Sequence, residues 1–226
     1  ACAVDWLVEH GWLEEAIAEH VADCNWEAAA GLLEAERHAL YNREQWLLMW
    51  QRLAQLPTEV VDRRPALLLA KAWVLQTQLR YAAVRALYAQ VTALLEASQP
   101  AGEALDIVAG EVAALHGSWI YPEVPVEERI THSEAALRRL QPARDYASIC
   151  GFCYVSLVHH LLPYGRRDEI LRRLQHEIHA AGINAGSYLT RLHHALGVLL
   201  IWDGSLEALL SVSERYLQLA TQYRLT

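Results

Sequence analysis

The sequence predicts an all-α chain folded as a right-handed superhelix of stacked helical hairpins, a tetratricopeptide-like α-solenoid. The first observation is a repeated turn. His10-Gly11-Trp12-Leu13-Glu14-Glu15-Ala16-Ile17 returns as Asp203-Gly204-Ser205-Leu206-Glu207-Ala208-Leu209-Leu210, and Tyr164-Gly165-Arg166-Arg167-Asp168-Glu169-Ile170 lies between them. Each copy reads as helix, glycine stop, new amphipathic helix, and a chain that repeats this unit stacks helical hairpins. The second observation is periodicity: apolar residues recur at helical spacing and strand signals are weak throughout. The third is composition, because Ala and Leu dominate and both favour helix.

The elements follow in order. A first helix runs to Gly11, a second spans about 12–23 and a third about 26–41. A fourth, with Trp46, Leu47, Trp50 and Leu53 on one face, runs to Leu56. Pro57 opens a short helix over 58–63, and Pro65 fits the first turn of the next, where its missing N–H costs nothing. From there the hairpins lengthen: 65–78 pairs with 80–97, 102–119 with 125–141, 143–162 with 166–181, and 186–202 with 205–223. Their first helices begin about 40 residues apart, near the period of two-helix solenoid units. The apolar stripe of 166–181 is Ile170, Leu174, Ile178 and Ala181; that of 205–223 is Leu206, Leu209, Leu210, Leu217 and Leu219. Stripes this wide want neighbours on two sides, which stacking supplies. Gly182 and Gly204 suit the left-handed residue after a helix. Tyr121-Pro122-Glu123-Val124-Pro125 reads as a rigid exposed loop, with Pro125 opening a helix.

With 226 residues, 54% of them hydrophobic, the chain can bury a sizeable core in one large or two small domains. A net charge of -8, from 19 basic and 27 acidic residues, supplies no basic footprint for nucleic acid or anionic lipid. No uninterrupted apolar run of about 18 residues suggests a membrane span, and no signal segment opens the chain. The only Met is Met49 and residue 1 adjoins a helical pattern, so the chain reads as a piece of a longer protein. Four scattered cysteines suggest a reducing, cytoplasmic setting rather than a disulfide framework.

Catalytic signatures are missing. Lys71, the only lysine, lies between Ala70 and Ala72 without the glycines of a phosphate-binding loop, and no Gly-x-Ser-x-Gly elbow occurs. The chain is therefore expected not to be an enzyme. Cys150-Gly151-Phe152-Cys153 has the C-x-x-C spacing but lies inside a helical pattern, where two small buried thiols packing between helices is the simpler reading. His176 and His179 share a face that reads as solvated, and His159-His160 and His193-His194 read as interhelix hydrogen-bonding pairs, so no metal is expected. Trp6, Trp12, Trp26, Trp46, Trp50 and Trp73 fall on apolar stripes and read as core. Trp119, Tyr121, Tyr164 and Trp202 sit instead at the far ends of first helices, where aromatic faces suit sugars, peptides or flat ligands. The candidate ligand-binding residues are Trp119, His159, Tyr188, Arg191 and His194.

Several stretches resemble one family. Leu56-Pro57-Thr58-Glu59-Val60, Arg64-Pro65 and Ala72-Trp73 are similar to the L-P-x-E-V…R-P…A-W run that follows the ATPase core of MalT-like, LuxR-type transcription regulators. Glu15-Ala16-Ile17 with Asn25-Trp26-Glu27 and Ala29, and Glu111-Val112-Ala113-Ala114-Leu115, resemble two further segments of that family. The resemblance covers about residues 5–116. Cys24-Asn25 replaces the family's Gly-Asp, which implies a tighter or strained turn. Tyr121 to Pro125 replaces a short Gly-Asp turn, which implies an opened or bent second hairpin.

The resemblance implies a signal-transduction ATPase of the STAND class. Its helical arm would cover 1–63 and the first hairpins of its tetratricopeptide-like sensor 64–226. ATP would bind in an upstream domain, with no cofactor in this region. In such proteins the sensor binds an inducer, such as a short malto-oligosaccharide, and binding releases an autoinhibited state. The implied partners are a small-molecule inducer or a protein or peptide, and the ATPase core of the same chain, with no direct nucleic acid or membrane contact. Self-association through an uncapped end near Tyr223 and Leu225 is also expected. The rival expectation is a free-standing scaffold that binds a protein helix or peptide.

Overall fold

A computed structural model describes residues 2–98, 103–118, 123–140, 145–181 and 186–223. Among them every regular element is helical and no strand occurs, so the all-α class holds. The chain divides into two compact units, Ala1–Leu40 with Gln45–Pro100, and Tyr41–Glu44 with Ala101–Thr226.

The first unit holds α1 (Cys2–Glu9), α2 (Leu13–Ala22), most of α3 (Trp26–Asn42), α4 (Trp46–Gln55), α5 (Thr58–Val61), α6 (Pro65–Thr77) and α7 (Tyr81–Ser98). α1 pairs with α2, and α6 packs against both α4 and α7. Pro65 stands in the first turn of α6, as its fixed φ and missing N–H favour. Leu67 to Ala70 and Ala72 to Gln76 are all buried, so α6 is covered on every side and Trp73 is 1% exposed. Arg64, just before that proline, reaches two carboxylates a two-turn step apart on α3. Its Nη2 donates to Glu27 at 2.5 Å and its Nη1 to Glu34 at 2.6 Å. The Arg64 bond holds the Glu27 carboxyl below its ordinary range. The Arg-Pro pair thus starts one helix and ties it to another.

The second unit holds α8 (Glu103–His116), α9 (Val126–Arg139), α10 (Ala147–Leu161), a 3-10 turn over Leu162–Tyr164, α11 (Arg167–Ala181), α12 (Gly186–Asp203) and α13 (Leu206–Tyr223). Consecutive helices touch, and α10 also packs against α8 and, more extensively, α12. The turn into α13 is tied to the start of α11. Arg167 donates to both Asp203 oxygens at 2.7 Å, and Ser205 Oγ donates to Asp203 at 2.6 Å. These bonds, Arg167 first, hold the Asp203 carboxyl down at about 2.

One closing device recurs. After α1 the Gly11 N–H donates to Val8 O and the Trp12 N–H to Leu7 O; the same bond pair closes helices at Cys24-Asn25, Glu44-Gln45, Leu79-Arg80, Gly165-Arg166 and Gly204-Ser205. These are Schellman closures, which require a left-handed residue at the first position of the pair. Glycine takes it at Gly11 (φ 77), Gly165 (φ 70) and Gly204 (φ 70), but Cys24 (φ 55), Glu44 (φ 58) and Leu79 (φ 59) take it with a side chain. The strained turn expected at Cys24 is therefore present. Gly182 lies outside the described residues.

Three packing expectations are corrected. Trp6 and Trp12 are 50% and 52% exposed rather than core. They lie against each other, and Trp6 stacks on His10 with centroids 4.2 Å apart, because α1 and α2 are too short to cover both indoles. In α4 the buried pair is Met49 and Leu53, one turn apart, while Leu47 points outward. In α13 only Leu219 of the expected stripe is buried, and Leu206, Leu210 and Leu217 are exposed, because α12 covers a narrower strip than the sequence offers.

Two substitutions test the helix closures. Leu79→Gly, at an exposed left-handed position, should stabilise the chain by roughly 1 kcal/mol, and Gly204→Ala should destabilise it by roughly as much. Thermal melts followed by circular dichroism would show Tm moving in opposite directions. Arg64→Ala should cost about 1–3 kcal/mol, since it leaves Glu34 partly buried without its cation.

Candidate functional site

The candidate residues converge on α12. Gly151 of α10 lies so close to Arg191 that any Cβ there would overlap the Arg191 side chain. The missing side chain lets α12 lie against α10 and lets the Arg191 stem cross it. The guanidinium carbon stands 5.6 Å from the Phe152 ring centroid, within cation–π range. Arg191 Nη2 donates to Glu44 Oε1 at 2.9 Å and Oε2 at 2.7 Å. With side chains 19% and 18% exposed, this is a partly buried ion pair. Asn42, just upstream, serves the same unit. Its Oδ1 accepts from the Ser148 N–H at 3.0 Å and its Nδ2 donates to Asp145 O at 2.9 Å, capping the start of α10.

His159 and His194 flank Arg191. The His194 imidazole stands at the surface in a corner where it loses part of its hydration, which holds it below its ordinary range; Arg191 and His159 add to this and Glu44 opposes it. Its ring meets Tyr216 of α13 edge-on, with centroids 6.3 Å apart. His159 is half-buried, and burial lowers its imidazole as well. Three of the five sequence candidates, His159, Arg191 and His194, are thus neighbours. Tyr188 faces elsewhere. It is 6% exposed, its hydroxyl donates to Glu177 Oε2 at 2.8 Å, and its ring lies 6.4 Å from that of Tyr154. Burial first, then Tyr154 and Glu177, push its phenol up. Trp119 lies outside the described residues, as does Tyr121. Tyr164 and Trp202 are 58% and 68% exposed near the ends of α10 and α12.

Two shallow concavities border α12. One, of about 210 Å³, is lined by His193, His194, Gly197, Ile201, Leu209 and Tyr216 among others. The other, of about 490 Å³, is lined by Ile178, His179, Leu189, His193, Leu196 and Arg215 with Gln175. His193 is shared, and its Nδ1–H donates to Leu189 O at 2.8 Å. In the first unit a cavity of about 200 Å³ is lined by Trp50, Leu53, Leu56, Thr58, Val61 and Lys71 with Ala54.

The chemistry of the α12 surface follows from what is already engaged. Arg191 is matched by Glu44, and the Tyr188 hydroxyl is matched by Glu177. The imidazoles of His159, His193 and His194 are held below their ordinary range by burial. What the grooves offer is apolar wall with imidazole and phenol edges and, in the larger one, the Arg215 guanidinium, which suits a stacking or peptide-like ligand. Cys150 and Cys153 are both 1% exposed and free, as two packing thiols would be. Burial first and Glu177 second push the Cys150 thiol up to about 12, so it stays protonated at neutral pH. His160 makes an interhelix bond, its Nε2–H donating to Gly117 O at 2.8 Å.

Glu44 and Phe152 escaped sequence reasoning. Glu44 pairs across 147 positions, a distance at which periodicity is silent. Phe152, the only phenylalanine, could have been noticed inside the C-x-x-C segment. Tyr216 lies four residues past Val212 on the α12-facing side of α13, and a helical wheel could have found it.

No family model matches the chain, and no solved structure matches it. The HTH-type transcriptional regulator MalT of Cronobacter sakazakii is 29% identical to it over 149 residues. That stretch covers 66% of this chain and 16% of the length of that protein.

The lowered imidazoles generate a pH prediction. His159, His160, His193 and His194 are all held below the ordinary histidine value of 6.5, by burial first. Arg129 and His159 face His160, and Arg215 faces His193. The unfolded chain binds more protons below that value, so this stability is complete above about pH 6.5 and is lost as pH falls toward the lowered folded values. Tm should fall by several degrees from pH 7.5 to pH 5.5, and His160→Gln should reduce the fall. A Tm independent of pH over this range would contradict the assignment.

Proposed function

We propose that this chain is a non-catalytic, ligand- or partner-sensing helical-repeat region of a MalT-like, LuxR-type regulator of the STAND class. The observation that carries the reading is the coincidence of two facts. The chain is similar to part of a transcriptional regulator, and α10 packs against both α8 and α12. Packing of alternate helices is how a solenoid grows, and the right-handed tetratricopeptide-like superhelix belongs to this proposal. So do the division into arm (1–63) and sensor (64–226), the cytoplasmic setting, and an upstream ATPase core that supplies the ATP site. Among the described residues no helix is long and apolar enough to cross a membrane.

In this reading the α12 surface binds an inducer, and binding shifts the whole protein between an autoinhibited and an assembly-competent state. Such a shift requires different affinity for the two states, not affinity alone. The sensing corner is His159, Arg191 and His194 with Glu44, the ion-pair partner of Arg191. Trp119 stays in the proposal as a candidate from the sequence, while Tyr188, bonded to Glu177, stands apart from the corner.

A second reading, a scaffold for a protein helix or peptide, is favoured by one observation. Leu206, Leu210, Leu217 and Tyr216 expose a run of apolar surface along α13. The same surface supports self-association.

The full-length open reading frame separates the two readings. A phosphate-binding loop upstream of residue 1 and inducer-dependent ATP hydrolysis by the full protein are expected for the sensor; a start codon close upstream and no ATPase domain would leave the scaffold. Within the sensor, His194→Ala should weaken inducer binding by about tenfold in calorimetry, the equivalent of about 1.4 kcal/mol. Unchanged affinity would remove α12 from the site. Light scattering at rising concentration should show association of this chain that Leu206→Glu with Leu210→Glu abolishes, and a monomer at every concentration would sink the α13 surface.

A further inference from the structure

α8 and α9 bring together three side chains that the reading above does not use. His116 ends α8, and Glu128 and His132 lie one turn apart on the facing side of α9. One ligating atom from each falls within 4.8 Å of the other two. The two imidazoles face one another with ring centroids 4.3 Å apart, and Glu128 Oε1 stands 3.6 Å from His132 Nε2. Two imidazoles and a carboxylate form a donor set that late first-row divalent cations, zinc first among them, accept.

We propose that His116, Glu128 and His132 form a binding site for zinc(II) or a similar divalent cation that joins α8 to α9. At zinc bond lengths of about 2.0–2.1 Å, ligands at tetrahedral corners lie roughly 3.3 Å apart. The Glu128–His132 separation is already near that value, and the His116 ring closes the remainder by side-chain rotation. The backbone beneath the site is held firmly. Gly117, next to His116, is packed so tightly on Ser133, next to His132, that no side chain fits there. Ser133 Oγ and His160 Nε2 both donate to Gly117 O, at 3.1 and 2.8 Å. The ligand-bearing turns are thus braced by neighbours that do not themselves coordinate, as preorganised metal sites require. The Glu128 side chain is 49% exposed and that of His132 33%, so a hydrated ion has a way in. Glu123, at the end of the α8–α9 connection, lies near enough to act on His116 and adds negative charge beside the site. Three protein ligands leave one position of a four-coordinate ion to water.

The ion would clamp α8 to α9, two helices that already pack against each other. Its expected effect is on stability and on the setting of that hairpin, independent of any ligand on α12. The test uses the whole chain, stripped with a chelator, dialysed, and titrated with zinc chloride by calorimetry at pH 7.5. The expected result is one saturable event of one ion per chain, with a rise in Tm of several degrees. Glu128→Gln and His132→Ala, both at solvent-accessible positions, should each weaken binding about tenfold or more and abolish the Tm rise while keeping helical circular dichroism. His179→Ala, on exposed α11 surface, should bind as the parent does. Cobalt(II) added in place of zinc should give the visible bands of a four-coordinate ion in the parent and not in His132→Ala. No saturable event in the parent, or parent-like affinity in both Glu128→Gln and His132→Ala, would overturn the site.

Discussion

The second unit depends on how closely α12 lies against α10. α10 is buried on nearly all its faces, with α8, α9, α11 and α12 around it. A helix so enclosed can use large side chains only where a neighbour recedes. Gly151 is the point of contact with Arg191. A methyl group there would push the two backbones apart, and overpacking of a close crossing costs about 1–3 kcal/mol. Every other feature of the α12 surface inherits its position from this approach.

Several of the polar groups that this packing buries are matched, although Ser156 Oγ on α10 is buried without a hydrogen-bond partner among the described residues. Arg191 crosses α10 to Glu44, Tyr188 meets Glu177, and Arg173 reaches Glu134 at 2.9 Å. The imidazoles of His160 and His193 each spend one N–H on a carbonyl. Leaving such groups unpaired would cost more than making the bonds gains. The consequence for recognition is that Arg191 is already engaged, and the fixed positive charge in the groove lining is that of Arg215. Apolar wall and ring edges remain, and these discriminate by shape and stacking.

Much of the candidate site was legible because it sits on regular helix. Arg191 and His194 are three residues apart on one helix, so their proximity follows from periodicity, and His159 lies on α10, which packs against that helix. Tyr188 is three residues from Arg191 on the same helix, yet its hydroxyl reaches Glu177 of α11, a choice that residue spacing alone leaves open. Glu44 belongs to a loop in another part of the chain, and only folding brings it near. The His116, Glu128 and His132 set was partly visible as an i, i+4 pair, but its third member is on the preceding helix, and no spacing rule ties the two.

The sequence by itself determined the helices, their order and most of their boundaries, because apolar periodicity and punctuation by Pro57, Pro65, Gly11, Gly165 and Gly204 act locally. It also revealed the helix closures wherever glycine occupies the left-handed position. The same closure at Glu44 and Leu79 was hidden, since there the surrounding bonds impose a conformation that the residue does not favour. Tertiary structure alone decided which apolar stripes are covered. Leu210 of α13 and Leu174 of α11 are alike as residues on amphipathic helices, but Leu174 is fully buried and Leu210 is 64% exposed. Burial is a property of what stands opposite, and a one-dimensional pattern records only the side chain that seeks cover.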